Sequence, residues 1–163
     1  MEIHQEGKEF LNLINNRFKL KLFLISKLPL AFFAGVNLET ANAQKATASI
    51  KFKWINQNPF RSIYFAALSM AAELSTGVLA MLHLYDRKPT VSMLVIANTA
   101  EFYKKATGKI SFTCNEGKEL KNAIEKSIQS LEPQSITVSS IGIDEKGDVV
   151  AKFTFTWSFK AKT

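Results

Sequence analysis

Apolar residues recur along this chain with two different periods, and the switches between them mark out its elements. From 7 to 28, Phe10, Leu11, Ile14, Phe18, Leu22 and Ile25 repeat at helical spacing, and Pro29 ends the run. This predicts one N-terminal amphipathic helix within residues 1–30, packed on the core. The period then falls to two. Residues 36–43 read as a short strand. Residues 46–54 alternate cleanly, with Ile50, Phe52 and Trp54 on one face and Lys51 and Lys53 on the other, which predicts a half-buried strand. Residues 55–61 read as a loop. From 62 to 84 the chain is apolar nearly all round, as in a helix buried on most sides, and Asp86, Arg87, Lys88 and Pro89 end it.

Strand periodicity dominates the second half. Residues 90–104 form a β-rich run with apolar residues on both faces, expected as a central or interface strand. Residues 109–115 place Ile110, Phe112 and Cys114 inward. Residues 117–131 hold Leu120, Ile124, Ile128 and Leu131 on one helical stripe, which Glu132-Pro133 stops. Residues 135–143 are expected to be a strand bulged at Ser139-Ser140, where the alternation slips by one. The clearest strand is 149–160, with Phe153, Phe155, Trp157 and Phe159 on one face. Five or six strands must therefore wrap one very apolar helix. Only a strongly curved antiparallel sheet does so, which makes the expected class α+β, with residues 1–163 as one domain.

Composition narrows the chemistry. The chain has 163 residues, enough for a core that buries about 70% of the unfolded surface. One cysteine rules out an intrachain disulfide, and two histidines leave no His/Cys zinc site. His4 and His83, far apart in sequence, do not point to a Ser-His-Asp machine. Cys114 and His83 read as packing residues, and the Phe stripe reads as core. The net charge of +7 is spread along the chain with no basic stripe, so no nucleic acid partner is expected.

The N-terminal ten residues carry acids and no apolar run, so they do not read as a secretory signal, and the expected location is cytoplasmic. Residues 22–36 are apolar but broken by Lys27 and Pro29. Residues 62–85 are long enough to cross a bilayer, but Glu73 sits at their centre, where a charge is costly. A helix buried in protein is expected, with no integral membrane association.

Glu73 is the only acid between Arg61 and Asp86. A carboxylate in apolar surroundings rises in pKa unless it is paired, which suits a general base or nucleophile. The alternative is an outward-facing residue or one satisfied by a nearby Lys or Arg. Phe65 and Ala66 fall in the first turn, where backbone N–H groups lack helical acceptors and can stabilise an oxyanion. Tyr64 and Glu73 are nine residues apart, roughly 13 Å along the axis and half a turn out of phase. One helix cannot bring both to one carbonyl. Two copies related by a two-fold axis can, which implies an obligate dimer with shared sites, the long strand 90–104 pairing with its mate.

An apolar helix with one mid-helix acid, preceded by Asn and wrapped by a meander, resembles the hotdog fold of acyl-CoA thioesterases. Residues 56–77 carry the resemblance, and the element order extends it over nearly the whole chain. In the phenylacetyl-CoA thioesterase type, an Asn stands six residues before a His-Gly-Gly, and an Asp follows that His by nine. Here Asn58 stands six before Tyr64, and Glu73 nine after it; Tyr64-Phe65-Ala66 replaces His-Gly-Gly. The resemblance implies a homodimer, or a dimer of dimers, that hydrolyses an acyl thioester. Glu73 takes the acid's role, the Phe65 backbone N–H the oxyanion hole, and Asn58 orients water or substrate. No cofactor or metal is implied, coenzyme A entering only as part of the substrate. Arg87, Lys88, Lys104 and Lys105 become candidate partners of its phosphates. A non-catalytic acyl-CoA or lipid-binding protein is the second reading, and a membrane-peripheral protein using helix 7–28 the third.

Overall fold

The computed structural model describes residues 3–162. Its elements are three N-terminal helices, α1 (Gln5–Asn15), α2 (Arg17–Lys27) and α3 (Pro29–Ala34), then β1 (Val36–Ala41) and β2 (Ala46–Lys51). The long helix α4 (Phe65–Leu84) follows, then β3 (Val91–Phe102), β4 (Lys109–Cys114), α5 (Gly117–Ser130), β5 (Gln134–Asp144) and β6 (Val149–Ala161). The strands form one antiparallel sheet in the order β1-β2-β4-β5-β6-β3. The sheet curves around α4, which is the hotdog fold expected from the element order. By length and apolarity α4 would cross a membrane, but 67% of its most apolar window is buried inside the protein. Ala71, Ala72 and Ala80 let the sheet approach closely, and Phe112, Phe153, Phe155 and Phe159 fill the space between.

The first predicted helix is two. Asn16 adopts an extended conformation, and its Oδ1 accepts from the N–H groups of Phe18 and Lys19 at 3.1 Å each. A side chain that satisfies N–H groups in this way starts a new helix. The break rephases the pattern. Phe10 and Ile14 are buried as expected, whereas Phe18, Leu22 and Ile25 turn outward and Leu20 and Leu24 go in. Gly35, at φ 85°, closes α3 in the left-handed region.

Three strand readings are corrected. Strand β2 ends at Lys51, and Trp54 is 82% exposed rather than inward. The Asn56 side chain explains this: Oδ1 accepts from Lys53 N–H, and Nδ2 donates to the carbonyls of Ala34 and Lys51, folding 54–56 into a short 3-10 turn. Strand β3 is not central. It is an edge strand that exposes Leu94, Ile96 and Phe102. Strand β5 keeps its alternation through Ser139-Ser140. Ser140 faces in because its hydroxyl meets that of Ser75 at 2.7 Å, and Gly142 faces in under the Phe112 ring. The register slips instead between Gly142 and Ile143, opposite Val150 of β6, whose carbonyl accepts from Tyr103 and Lys104 N–H.

Candidate active site

The loop before α4 is built by Asn58. Its Oδ1 accepts from the N–H groups of Phe60 (2.9 Å) and Ser62 (3.3 Å), and its Nδ2 lies 3.0 Å from Ser62 Oγ. This is an Asx-type turn, and Arg61 sits at φ 57° within it. The side chain expected to orient water or substrate is thus engaged in shaping the loop. Tyr64 N–H donates to Asn56 C=O, and Tyr64 C=O accepts from Ala67 and Leu68. Phe65 and Ala66 occupy the first two helical positions, whose N–H groups have no intrahelical acceptor. The rings of Tyr64 and Phe65 meet edge-on at 4.8 Å. Asn58, Tyr64, Phe65, Phe102, Lys104 and Lys105 share one cleft of about 530 Å³.

Glu73 lies elsewhere, two turns further along α4. With Ser69, Met70, Val95, Asn98 and Phe155 it lines a cavity of about 450 Å³, closed on one side by residues 27–31 of α2 and α3. On the other side of its carboxylate a cavity of about 350 Å³ runs past Phe23, Gly77, Met93 and Trp157. Among the described residues the carboxylate has no hydrogen-bond or ion-pair partner, and Lys27, which borders both cavities, does not pair with it. Burial therefore raises its pKa from 4.5 to about 7. A network beneath fixes the wall: Trp157 Nε1 donates to Thr76 Oγ1 at 3.1 Å, and Thr76 Oγ1 donates to Glu73 C=O at 2.9 Å. A carboxyl titrating near neutrality beside an apolar cavity can take a proton from water or attack an electrophilic carbon.

The cationic candidates divide. Lys104 and Lys105 reach the Phe65 cleft, although Lys104 also pairs with Asp144 (2.6 Å) and Asp148 (2.5 Å). Arg87 and Lys88 lie beyond the other end of α4, about 30 Å away along its axis. Arg87 is held there by a bidentate pair with Glu125, at 2.7 and 2.8 Å. Cys114 is fully buried and its thiol is pushed up to about 12, chiefly by that burial, so it is a core residue. His83 is buried and lowered to about 4, burial being the largest cause and the nearby Lys121, His4 and Arg87 adding to it. The periodicity gave no sign of Asn98 and Lys27. A polar residue that follows the apolar run 93–97, and a lysine inside an apolar run, were the only available signals.

The curved sheet, the buried helix and the carboxylate on it define a hotdog protein. The chain belongs to the family described as a domain of unknown function, DUF4442, whose model matches residues 19–159. No curated protein matches it. Among solved structures it is similar to a Pseudomonas aeruginosa protein of unknown function named a probable thioesterase (TM-score 0.76, 20% identity, covering 89% of this chain and 96% of that one). It is also similar to a mutant thioesterase from Pseudomonas aeruginosa (0.65, 12%, 90% and 95%). A third is the PaaI protein from the phenylacetic acid degradation operon of E. coli (0.63, 12%, 93% and 96%). At these identities the likeness is one of fold.

Proposed function

We propose that this protein hydrolyses an acyl thioester, with Glu73 as general base or nucleophile. The observation that carries the reading is the unpartnered Glu73 carboxylate between two apolar cavities, held near neutrality by burial. Such a group costs stability and is retained where chemistry needs it. The acyl chain occupies the apolar cavity. The thioester carbonyl meets the Phe65 N–H of a second copy, since one protomer keeps Phe65 and Glu73 in separate clefts. The exposed edge strand β3 supports a two-fold pairing that joins the two sheets. Lys105, at the Phe65 cleft, is the better candidate for the phosphates of coenzyme A, because Lys104 beside it is already paired with Asp144 and Asp148. Arg87 is committed to Glu125 and is poorly placed for that role.

The reading is tested by following free thiol release over short, medium, long and aromatic acyl-CoAs. Glu73→Ala is expected to abolish turnover with the fold intact. Full activity in that variant overturns the assignment.

One observation favours a second reading, a non-catalytic acyl-CoA or lipid carrier. The Tyr64 and Phe65 rings crowd the helix start where a carbonyl would have to approach. Thermal stabilisation by acyl-CoA, with no thiol released across the panel, would select it.

A further inference from the structure

The outer face of α2 and α3 carries apolar residues that the fold leaves unused. Phe18, Leu22 and Ile25 lie on one stripe of α2 and are 70%, 51% and 44% exposed, while Leu20 and Leu24 on the opposite side are buried. Leu30 and Phe33 of α3, the helix that follows, are also exposed, at 70% and 58%. At about 100° per residue, Arg17 and Lys21 flank the stripe on one side and Lys19 on the other. No Asp or Glu occurs between Glu9 and Glu39, so the patch is cationic as well as apolar. Phe18, Leu22, Ile25 and Phe33 line none of the cavities described above.

An exposed apolar stripe with cationic flanks matches the interface of a lipid bilayer. The stripe enters the upper acyl-chain region, while flexible lysines lay their stems along it and reach the phosphates. We propose that α2 and α3 dock the protein on an anionic phospholipid surface, with Phe18, Leu22, Ile25 and Leu30 inserted and Arg17, Lys19 and Lys21 at the headgroups. Lys27, Leu28 and Leu30 of the same segment line the Glu73 cavity, so docking sets the cavity's rim at the membrane surface. A long-chain acyl group then reaches the cavity without leaving the bilayer interface. That consequence rests on the hydrolytic reading; the docking does not.

The test is sedimentation of the full chain with vesicles of phosphatidylcholine alone or mixed equally with phosphatidylglycerol. The mixed vesicles are expected to bind at least tenfold more strongly, with release as salt rises from about 0.05 M to about 0.5 M. Leu22→Ser with Ile25→Ser, and separately Lys19→Glu with Lys21→Glu, are expected to lose more than tenfold in partitioning with an unchanged circular dichroism spectrum. All four side chains are exposed, so the fold does not depend on them. The proposal is overturned if the unmodified chain ignores the anionic vesicles or if both variants bind as it does. It is also overturned if Leu22→Ser with Ile25→Ser breaks an oligomer while vesicle binding persists, which would assign the face to a second copy. No thioester enters the assay, so a chain without hydrolytic activity leaves the result readable.

Discussion

The carboxylate of Glu73 lies forward along its own helix over Gly77, one turn on, where a Cβ would stand 3.0 Å from Oε1 and 3.7 Å from the Trp157 ring. Glycine in mid-helix costs about 0.5–1 kcal/mol relative to alanine. Its absent Cβ leaves room for the carboxylate against the helix. Gly77→Ala is therefore expected to raise stability by up to about 1 kcal/mol, a rise in Tm of roughly 2–4 °C. The same change tips the carboxylate a few tenths of an ångström outward and returns its pKa toward the usual carboxylate range. Thermal melting and the pH profile of kcat/KM read the two effects separately. A raised Tm with an unshifted profile would show that Gly77 does not hold the carboxylate in place.

The ionisation of Glu73 also makes stability depend on pH. Its pKa is about 7 when folded against 4.5 as the reference value, so between those limits the folded state holds a proton that the unfolded state has released. Stability contributed by the protonated form is fully present below pH 4.5 and is lost as pH rises through 7. The shift sets an upper bound of roughly 3 kcal/mol, which partial exposure of the side chain reduces to about 2 kcal/mol. Glu73→Gln is expected to match the unmodified protein at pH 4 and to exceed it by about 2 kcal/mol at pH 8, while hydrolysing nothing. Denaturant titrations at the two pH values measure the difference. Equal stability at both would mean that the carboxylate is paired or solvated in solution.

Most of the fold is legible in the sequence because burial and periodicity coincide there. In 149–161, Phe153, Phe155, Trp157 and Phe159 all face the helix, and period two reports it. In 65–84, an apolar run without a polar face reports a helix with sheet on most sides. The misreadings lie where one side chain overrules the pattern. Asn16 caps α2 in the middle of an unbroken helical period and turns Phe18 out. Asn56 bends the end of β2 and expels Trp54. Glu73 stands out because it is a lone acid in an apolar helix. Asn98, Lys27 and the Arg87–Glu125 pair do not, because their meaning lies in contacts between residues distant in the chain.

Gly142 shows how one such contact is tested. A Cβ there would fall 2.4 Å from Phe112 Cε1, with two more ring atoms within 3 Å, and Phe112 is fully buried. The ring cannot retreat without displacing core neighbours, so Gly142→Ala is expected to destabilise by about 1–3 kcal/mol. Shortening the ring in Phe112→Leu should recover part of that loss in the double variant, a coupling of more than about 0.5 kcal/mol. Additive effects in a double-mutant cycle would place the ring elsewhere.

The proposed sharing of the site between two copies makes the sharpest prediction. Phe65 is the first helical residue of α4, a position that tolerates proline, and Tyr64 before it is already extended at φ −62° and ψ 136°. Phe65→Pro therefore removes the proposed oxyanion donor while keeping the helix, at an expected loss of about 10²–10³ in kcat. Glu73→Gln removes the proposed base. If each site takes its N–H from one protomer and its carboxylate from the other, a mixed dimer of the two variants has one site with both groups intact and one with neither. Random assortment makes half the dimers mixed, so co-expression of two inactive chains should restore about a quarter of the activity. If both groups came from one protomer, every site would lack one of them, and the mixture would stay inactive. Thiol release from the co-expressed pair, compared with the variants purified alone, decides between the two arrangements.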